Sequence, residues 1–144
     1  MPVVYLDTSA LAKRYLHEAR SDEVDRFLGR LESAAISRLT VVELRCLVAR
    51  RRRNREIDTR LERRVLAAFD DDVAQGFLEV HPLEDRHALA ARDLLGRLSR
   101  HSLRTLDSLH LAIATAIGAD LFATADGILV RAAAALGLRV ASFG

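Results

Sequence analysis

The chain has 144 residues, of which 50% are hydrophobic and 29% are charged, and its formal net charge is only +2. This length can bury one sizeable core but is short for two, so we expect a single domain over residues 1–144. The charged fraction is ordinary, which excludes a disordered tail, and the charge balance alone favours neither RNA nor an acidic protein as a partner.

The first half of the chain predicts two strands and four helices. Residues 3–6 combine β-branched and aromatic side chains, as strands do. Thr8 or Ser9 is expected to cap the first helix, and residues 57–69 carry apolar side chains at helical spacing. The predicted order is strand 3–6, helix 9–17, helix 21–32, strand 34–37, helix 40–53 and helix 56–75.

The second half predicts three strands and three helices. Pro82 ends the first of these strands, and Gly118 ends a helix that follows the expected capping residue Thr105. That helix is apolar almost all round, which predicts that it is buried. The predicted order is strand 77–80, helix 83–100, helix 105–117, strand 121–124, helix 127–136 and strand 139–142.

Strands and helices alternate along the chain, and the short strands are apolar throughout. This pattern is typical of a parallel sheet that is covered on both faces. We therefore predict an α/β fold with three α/β/α layers around a mostly parallel sheet of four to five short strands. In such sheets the functional crevice lies beyond the carboxyl ends of the strands, where Asp7 and Asp126 are expected.

No segment predicts a membrane anchor or a secretion signal. The longest apolar run, around residues 109–119, is about half the length that a bilayer requires. Asp7 and Lys13 interrupt the apolar residues near the N-terminus, and the single cysteine, Cys46, has no partner for an internal disulfide. We expect a soluble cytoplasmic protein without membrane contact, with Cys46 as a small core residue.

Four acidic residues are the main candidates for chemistry, although each also has a structural explanation. Asp7 and Asp126 can cap the helices that follow them, and Asp107 lies in the first turn of the apolar helix. Glu43 forms a capping-box pattern with Thr40. No single one of these patterns decides between a cap and a functional site.

Together, however, the four acids predict a metal site. They come from four segments that a parallel sheet brings to one edge, and clustered carboxylates repel one another unless a cation neutralises them. Oxygen ligands select Mg²⁺ or Mn²⁺, and no Cys/His cluster predicts zinc. Two such ions about 4 Å apart can activate a water and stabilise the leaving oxygen in phosphodiester cleavage.

Other charged residues have weaker functional signals. His110 follows Asp107 by three residues and could bond a site carboxylate, but a satisfied core histidine is the expected role. The aspartates at 70–72 point in different directions on a helix, which predicts a solvated face. The strongest basic patch predicts either a contact with an RNA backbone or an acidic partner, or a solvated helix end. Its members are Arg50, Arg51, Arg52 and Arg53.

Four segments of the chain resemble the conserved blocks of PIN-domain proteins, most closely the VapC-type toxins of bacterial toxin–antitoxin pairs. The segments are Val-Val-Tyr-Leu-Asp-Thr-Ser-Ala, the surroundings of Glu43, Leu-Arg-Thr-Leu-Asp-Ser-Leu-His-Leu-Ala, and Phe-Ala-Thr-Ala-Asp. They occur in the family's order and spacing between Val3 and Val140. The Asp107 block followed by Thr-Ala-Asp126 is the most specific part of this likeness.

The resemblance implies a PIN-like fold and a Mg²⁺- or Mn²⁺-dependent RNA endonuclease, inhibited by a small cognate antitoxin and usually homodimeric. Its acidic positions match those of this chain one for one, namely Asp7, Glu43, Asp107 and Asp126. Thr8 and Ser9 match hydroxyl positions near the site, and Thr124 is expected to help shape it. The resulting hypothesis is that Asp7 and Asp107 hold the principal metal, Glu43 supports or bridges it, and Asp126 completes the site. A metal-activated water would then cut RNA to leave a 5′-phosphate and a 3′-hydroxyl.

Two other functions remain open from the sequence. A PIN-like nuclease for RNA processing, or a related DNA-flap enzyme, would have the same acidic site. A non-catalytic binding module would keep the acids only as helix caps. The apolar faces of the second and fourth helices, which look wider than one domain can bury, favour a dimer or a wrapped antitoxin.

Overall fold

The structure, a computed structural model, describes residues 1–144. Its five strands are β1 Val4–Leu6, β2 Ala34–Ser37, β3 Leu78–His81, β4 Leu121–Thr124 and β5 Arg139–Ser142. They form one sheet in the order β3-β2-β1-β4-β5, and every pairing is parallel. The predicted parallel sheet is confirmed, with the higher of the two expected strand numbers.

Seven helices connect the strands and cover both faces of the sheet. They are α1 Thr8–Tyr15, α2 Ser21–Leu28, α3 Arg38–Arg53, α4 Thr59–Ala74, α5 Asp85–Arg97, α6 Thr105–Ala116 and α7 Gly127–Ala135. Successive side chains of a strand point to opposite faces. Val4 and Leu6 accordingly pack with α1 to α4, whereas Tyr5 packs with Phe122 and with α5 to α7. The predicted three-layer α/β/α architecture is confirmed.

The order of the strands places a crevice beside β1. The chain first adds β2 and β3 on one side of β1, and then returns to add β4 and β5 on the other side. The carboxyl ends of β1 and β4 therefore flank the point where the strand order reverses, which is where open α/β sheets bind ligands. Asp7 directly follows β1, and Asp126 follows β4 by two residues.

Strands β2, β4 and β5 have the predicted bounds, whereas several other ends differ. α2 ends at Leu28 rather than at residue 32, because the chain turns at Gly29 and must reach β2 at Ala34. α4 begins at Thr59 rather than at residue 56, because the Asp58 carboxylate accepts a hydrogen bond from the Leu61 N–H at 2.8 Å and caps the helix there. β3 lies one residue later than predicted, and α5 is shorter at both ends.

The prediction of wide, unburied apolar faces on the second and fourth helices is wrong. Their apolar side chains are buried or pack against the core beneath α1 to α4. The large apolar side chains that are exposed lie elsewhere, at Met1, Val3, Val42, Leu83, Leu89, Leu95 and Leu106. Cys46 is exposed and is not a core residue. No helix combines the length and the hydropathy that crossing a bilayer would require.

Candidate active site

A cleft of about 590 Å³ opens at the carboxyl ends of β1 and β4, with α3 as one wall and α6 as the other. The side chains that line it include all four candidate acids, Asp7, Glu43, Asp107 and Asp126. Thr8 and Ser9 also line the cleft, whereas Thr124 is fully buried beneath it. The fold therefore brings four segments that are far apart in sequence to one cavity.

Asp7 is the most deeply buried of the four acids, with only 3% of its surface exposed. It caps α1 itself, in place of the expected Thr8 or Ser9, since its Oδ1 accepts from the Ala10 N–H at 2.9 Å. Ser9 Oγ donates to Oδ1 at 2.8 Å, and Thr124 Oγ1 donates to Oδ2 at 2.6 Å. Burial nevertheless raises the pKa of Asp7 above its ordinary value, because these hydrogen bonds do not fully replace the lost water.

Ser9 and Thr124 also join the ends of β1 and β4. Thr124 Oγ1 accepts from the Asp126 N–H at 3.0 Å, and Ser9 Oγ accepts from the Ala125 N–H at 2.9 Å. The two hydroxyls thus position Asp7 and the backbone before Asp126 in one network.

Glu43 does not act as a capping residue, so the predicted capping box with Thr40 is wrong. α3 begins two residues earlier than expected, at Arg38, and the Ser37 N–H donates to Thr40 Oγ1 at 3.2 Å. Glu43 instead lies in the second turn, where its Oε1 accepts from Thr8 Oγ1 at 2.8 Å and from His110 Nε2. Burial raises the pKa of Glu43, but the hydrogen bond and charge of His110 and the bond from Thr8 outweigh it, so the net shift is downward.

Asp107 and Asp126 combine helix capping with a place in the cleft. Asp107 Oδ2 accepts from the backbone N–H of Arg104 at 3.0 Å, which makes Arg104 the N-cap of α6 in place of the expected Thr105. Asp126 is the N-cap of α7, and its Oδ1 accepts from the backbone N–H groups of Ile128 at 2.8 Å and Leu129 at 3.3 Å. The structural explanations considered from the sequence are therefore correct for these two residues, but they do not use the whole carboxylate.

Three of the four acids keep one oxygen free of protein partners. Glu43 Oε2, Asp107 Oδ1 and Asp126 Oδ2 accept no hydrogen bond, and none of them is fully buried. In this side-chain arrangement no three acidic, histidine or cysteine side chains are grouped closely enough to enclose a metal ion. The donor chemistry nevertheless fits a hard cation, because Mg²⁺ binds oxygen and keeps several waters between itself and the protein.

Sequence reasoning underestimated His110 and missed Arg104. His110 is buried, as expected of a core histidine, but it also bonds Glu43, which the three-residue spacing from Asp107 had offered as the alternative. Arg104 lines the cleft, and no sequence pattern distinguishes it. Cys46, Leu47, Leu106 and Leu129 complete the apolar part of the lining.

Only one member of the basic patch lies in the cleft. Arg50 lines it, whereas Arg51 forms salt bridges with Glu18 and Glu56, each at 3.2 Å. Arg52 donates to Thr59 at 3.0 Å. All four arginines lie in the last turn of α3, as the helix-end interpretation expected.

The aspartates at 70–72 lie outside the cleft, but they do not form a uniformly solvated face. Asp72 accepts from Arg14 Nε at 2.8 Å and from the Tyr15 hydroxyl at 2.5 Å, which joins α1 to α4. Asp70 and Asp71 are exposed.

Comparison with known proteins identifies the family. The family model of the PIN domain matches residues 4–135. Ribonuclease VapC46 of Mycobacterium tuberculosis is 35% identical over 143 residues, covering 97% of each chain, and Ribonuclease VapC45 of the same species is 34% identical over 149 residues, covering 98% of this chain and 96% of the relative.

Solved structures share the fold at lower identity. The crystal structure of VapC20 from Mycobacterium tuberculosis, described as a sarcin–ricin loop cleaving toxin, has a TM-score of 0.71 at 17% identity and covers 90% of this chain and 94% of that chain. VapBC2 from Rickettsia felis, bound to a fragment of its promoter DNA, has a TM-score of 0.70 at 15% identity and covers 99% of both chains. The sheet order, the acidic cleft and these likenesses agree, and the chain belongs to the PIN-domain family, among its VapC-type members.

Proposed function

We propose that the protein is a divalent-metal-dependent endoribonuclease that acts as the toxin of a toxin–antitoxin pair. The observation that carries the proposal is the cleft itself, which is lined by four carboxylates: one after β1, one on α3, one on α6 and one after β4. Support for RNA as the substrate comes from the relatives of 34 to 35% identity, whose names describe them as ribonucleases. Support for an antitoxin partner comes from fold relatives whose descriptions name a toxin–antitoxin complex or the VapBC family of toxin–antitoxin systems.

The acids have distinct roles in this proposal. Asp7 and Asp107 hold the principal ion, Glu43 supports it through its free Oε2, and Asp126 completes the site, with some contacts made through water. Mg²⁺ or Mn²⁺ bound there would neutralise charge on the phosphodiester and lower the pKa of water, as hydrolysis at neutral pH requires. Burial raises the pKa of Asp7, so its charge is unfavourable in the metal-free protein. A bound cation would relieve that cost.

The remaining polar groups position these carboxylates and the substrate. Thr8, Ser9 and Thr124 donate hydroxyl hydrogens to Glu43 or Asp7, which fixes the direction of each carboxylate. Arg50 and Arg104 lie on opposite walls of the cleft and form no salt bridge, so both are available for RNA phosphates. A homodimer stays a prediction from the family resemblance.

The direct test uses the purified chain and a labelled RNA, with Mg²⁺, with Mn²⁺ and with EDTA. We expect cleavage only with a divalent cation, and products that end in a 5′-phosphate and a 3′-hydroxyl. DNA of the same sequence serves as the substrate control. Cleavage that persists in EDTA would contradict the proposed metal dependence. Products with a 2′,3′-cyclic phosphate would also contradict the proposal, because the 2′-hydroxyl would then be the nucleophile.

Replacing Arg50 by Ala is expected to weaken RNA binding, because Arg50 faces the cleft with its charge unpaired. The affinity should fall similarly for different RNA sequences, and the slope of log K against log salt should decrease by about 1, as for the loss of one phosphate contact. Filter binding over a range of salt concentrations measures both quantities. Arg50→Ala is compared with its parent in the Asp107→Asn background, so that the RNA is not cut during the measurement.

Arg52→Ala is the matched control for this experiment. Arg52 lies in the same helical turn but bonds Thr59 outside the cleft. We expect little change in either quantity. Equal losses for the two variants would show that the basic patch acts as a diffuse charge and not through Arg50.

A further inference from the structure

A chain of buried hydrogen bonds leads from the sheet to Glu43. The Tyr5 hydroxyl lies 3.0 Å from Ser37 Oγ and 2.7 Å from His110 Nδ1, and His110 Nε2 contacts Glu43 Oε1. Ser37, Tyr5 and His110 are each at most 2% exposed. The Tyr5 ring is held in place by stacking on Phe122, with 5.7 Å between ring centroids. No water is needed to link these groups, so their geometry is set by the protein alone.

The direction of the bond to Glu43 follows from the chemistry of its partner. The Glu43 carboxylate has no hydrogen to donate, so its Oε1 can only accept. His110 Nε2 therefore carries the hydrogen and donates to Glu43. The other ring nitrogen, Nδ1, lies 2.7 Å from the Tyr5 hydroxyl, which can donate to it or accept from it. Tyr5 in turn fixes the ring orientation of His110.

The chain also closes a loop between the two walls of the cleft. Ser37 caps α3 and Glu43 lies on the same helix, whereas His110 lies on α6, three residues after Asp107. The contact between His110 and Glu43 is thus a direct bond from the wall that carries Asp107 to the wall that carries Glu43. Loss of that bond would leave Thr8 as the one donor to Glu43 and would remove a tie between the walls.

Both donors to Glu43 converge on the same oxygen. Thr8 Oγ1 and His110 Nε2 bond Oε1, and Oε2 is left without a protein partner. We infer that His110, oriented by Tyr5, is a positioning residue that holds Glu43 with Oε2 directed to a divalent cation in the cleft. This inference rests on the proposed function, since it assigns the cation to that site. The ligand of this site is a hard divalent ion. The positioning of Glu43 by His110 is expected to affect the affinity for that ion before any RNA is bound.

The test measures Mn²⁺ affinity by calorimetric titration in the absence of RNA, for the parent and for His110→Leu, His110→Gln and Tyr5→Phe. Partners that orient a metal ligand typically contribute about 10- to 100-fold to affinity, so His110→Leu should weaken Mn²⁺ binding by that factor. Gln can still donate to Glu43 and should recover part of the loss. Tyr5→Phe keeps the ring and removes only the hydroxyl, so it should give a smaller loss.

A double variant separates positioning from general damage. If Tyr5 acts only through His110, then Tyr5→Phe should cause no further loss of Mn²⁺ affinity in the His110→Leu background. Independent structural damage would instead make the two losses multiply. The matched control is His87→Leu, because His87 is also 2% exposed but lies on α5, outside the cleft.

The outcomes distinguish this inference from the proposed function. If the parent chain binds no Mn²⁺, the proposed function fails, and the inference fails with it. If the parent binds Mn²⁺ and cuts RNA, but His110→Leu and His110→Gln bind the ion as the parent or the His87→Leu control does, only the inference fails. Should His110→Leu not fold, His110→Gln and Tyr5→Phe decide the question.

Discussion

Replacement of Asp7 by Asn is expected to stabilise the metal-free protein at neutral pH while abolishing RNA cleavage. Asp7 is 3% exposed, and burial raises its pKa despite the hydrogen bonds from Thr124, Ala10 and Ser9. A raised pKa means that the ionised form is less favourable in the folded than in the unfolded chain. Asn carries no charge, and its carbonyl can still accept from the Ala10 N–H, so the variant avoids this cost and keeps the helix cap.

The pH dependence gives the sign of this effect. Because the folded pKa of Asp7 lies above its ordinary value of 3.8, the folded state binds that proton more tightly. The contribution of Asp7 to stability is therefore fully present below the unfolded pKa, and it is lost as the pH rises through the folded pKa. The stability advantage of Asp7→Asn should accordingly be absent in acid and should grow towards neutral pH.

Thermal unfolding at several pH values, with and without Mn²⁺, tests this prediction. Without metal, Tm should be higher for Asp7→Asn than for the parent at neutral pH. Mn²⁺ should raise the Tm of the parent but not that of Asp7→Asn. Asp58→Asn is the matched control, because Asp58 also caps a helix but is exposed and lies outside the cleft. A variant that is less stable than the parent at neutral pH, or that gains as much from Mn²⁺, would contradict the assignment.

Replacement of Asp107 by Asn should reduce cleavage by at least about a hundredfold and leave the fold intact. A bound metal ion is worth several kcal/mol of transition-state stabilisation, and about 2.7 kcal/mol already corresponds to a hundredfold change in rate. The amide oxygen of Asn can accept from the Arg104 N–H as Asp107 Oδ2 does, so α6 keeps its capping bond. The lost charge at the helix start should cost only about 0.3–1 kcal/mol.

Single-turnover cleavage and thermal unfolding measure these two effects separately. Asp58→Asn again controls for the removal of a capping carboxylate, and we expect it to cut RNA at the parental rate. If Asp107→Asn cut RNA as fast as the parent, Asp107 would be a helix cap and nothing more. If Asp107→Asn unfolded much earlier than Asp58→Asn, its loss of activity would report on the fold and not on the site.

The sequence predicted the architecture well because the strands are short, apolar and bounded by turn residues. The bounds of β2, β4 and β5 were predicted to the residue. Helix starts were harder, because neighbouring residues compete for the same role. Asp7, Thr8 and Ser9 can all cap a helix, and only the path of the chain out of β1 selects Asp7.

The same competition explains the error at Glu43. The capping-box spacing occurs twice, from Ser37 to Thr40 and from Thr40 to Glu43, and the extended backbone of Ser37 selects the first. Local patterns could not show that Glu43 is then free to face the cleft. The contacts of Glu43 with His110 and of Arg104 with the cleft depend on how α3 and α6 pack across the sheet, which no local pattern contains.

The hydrogen bond between Asp7 and Thr124 joins residues that are 117 positions apart, and it has a consequence for protein synthesis. β1 leaves the ribosome before β4, although β4 is one of its two neighbouring strands in the sheet. Until β4 arrives, Asp7 lacks the Thr124 hydroxyl, Asp126 is missing and one edge of β1 is open. A chain interrupted before Leu121 thus carries no complete acidic cleft, so the site is complete only after the segment that contains β4 and Asp126 has been made.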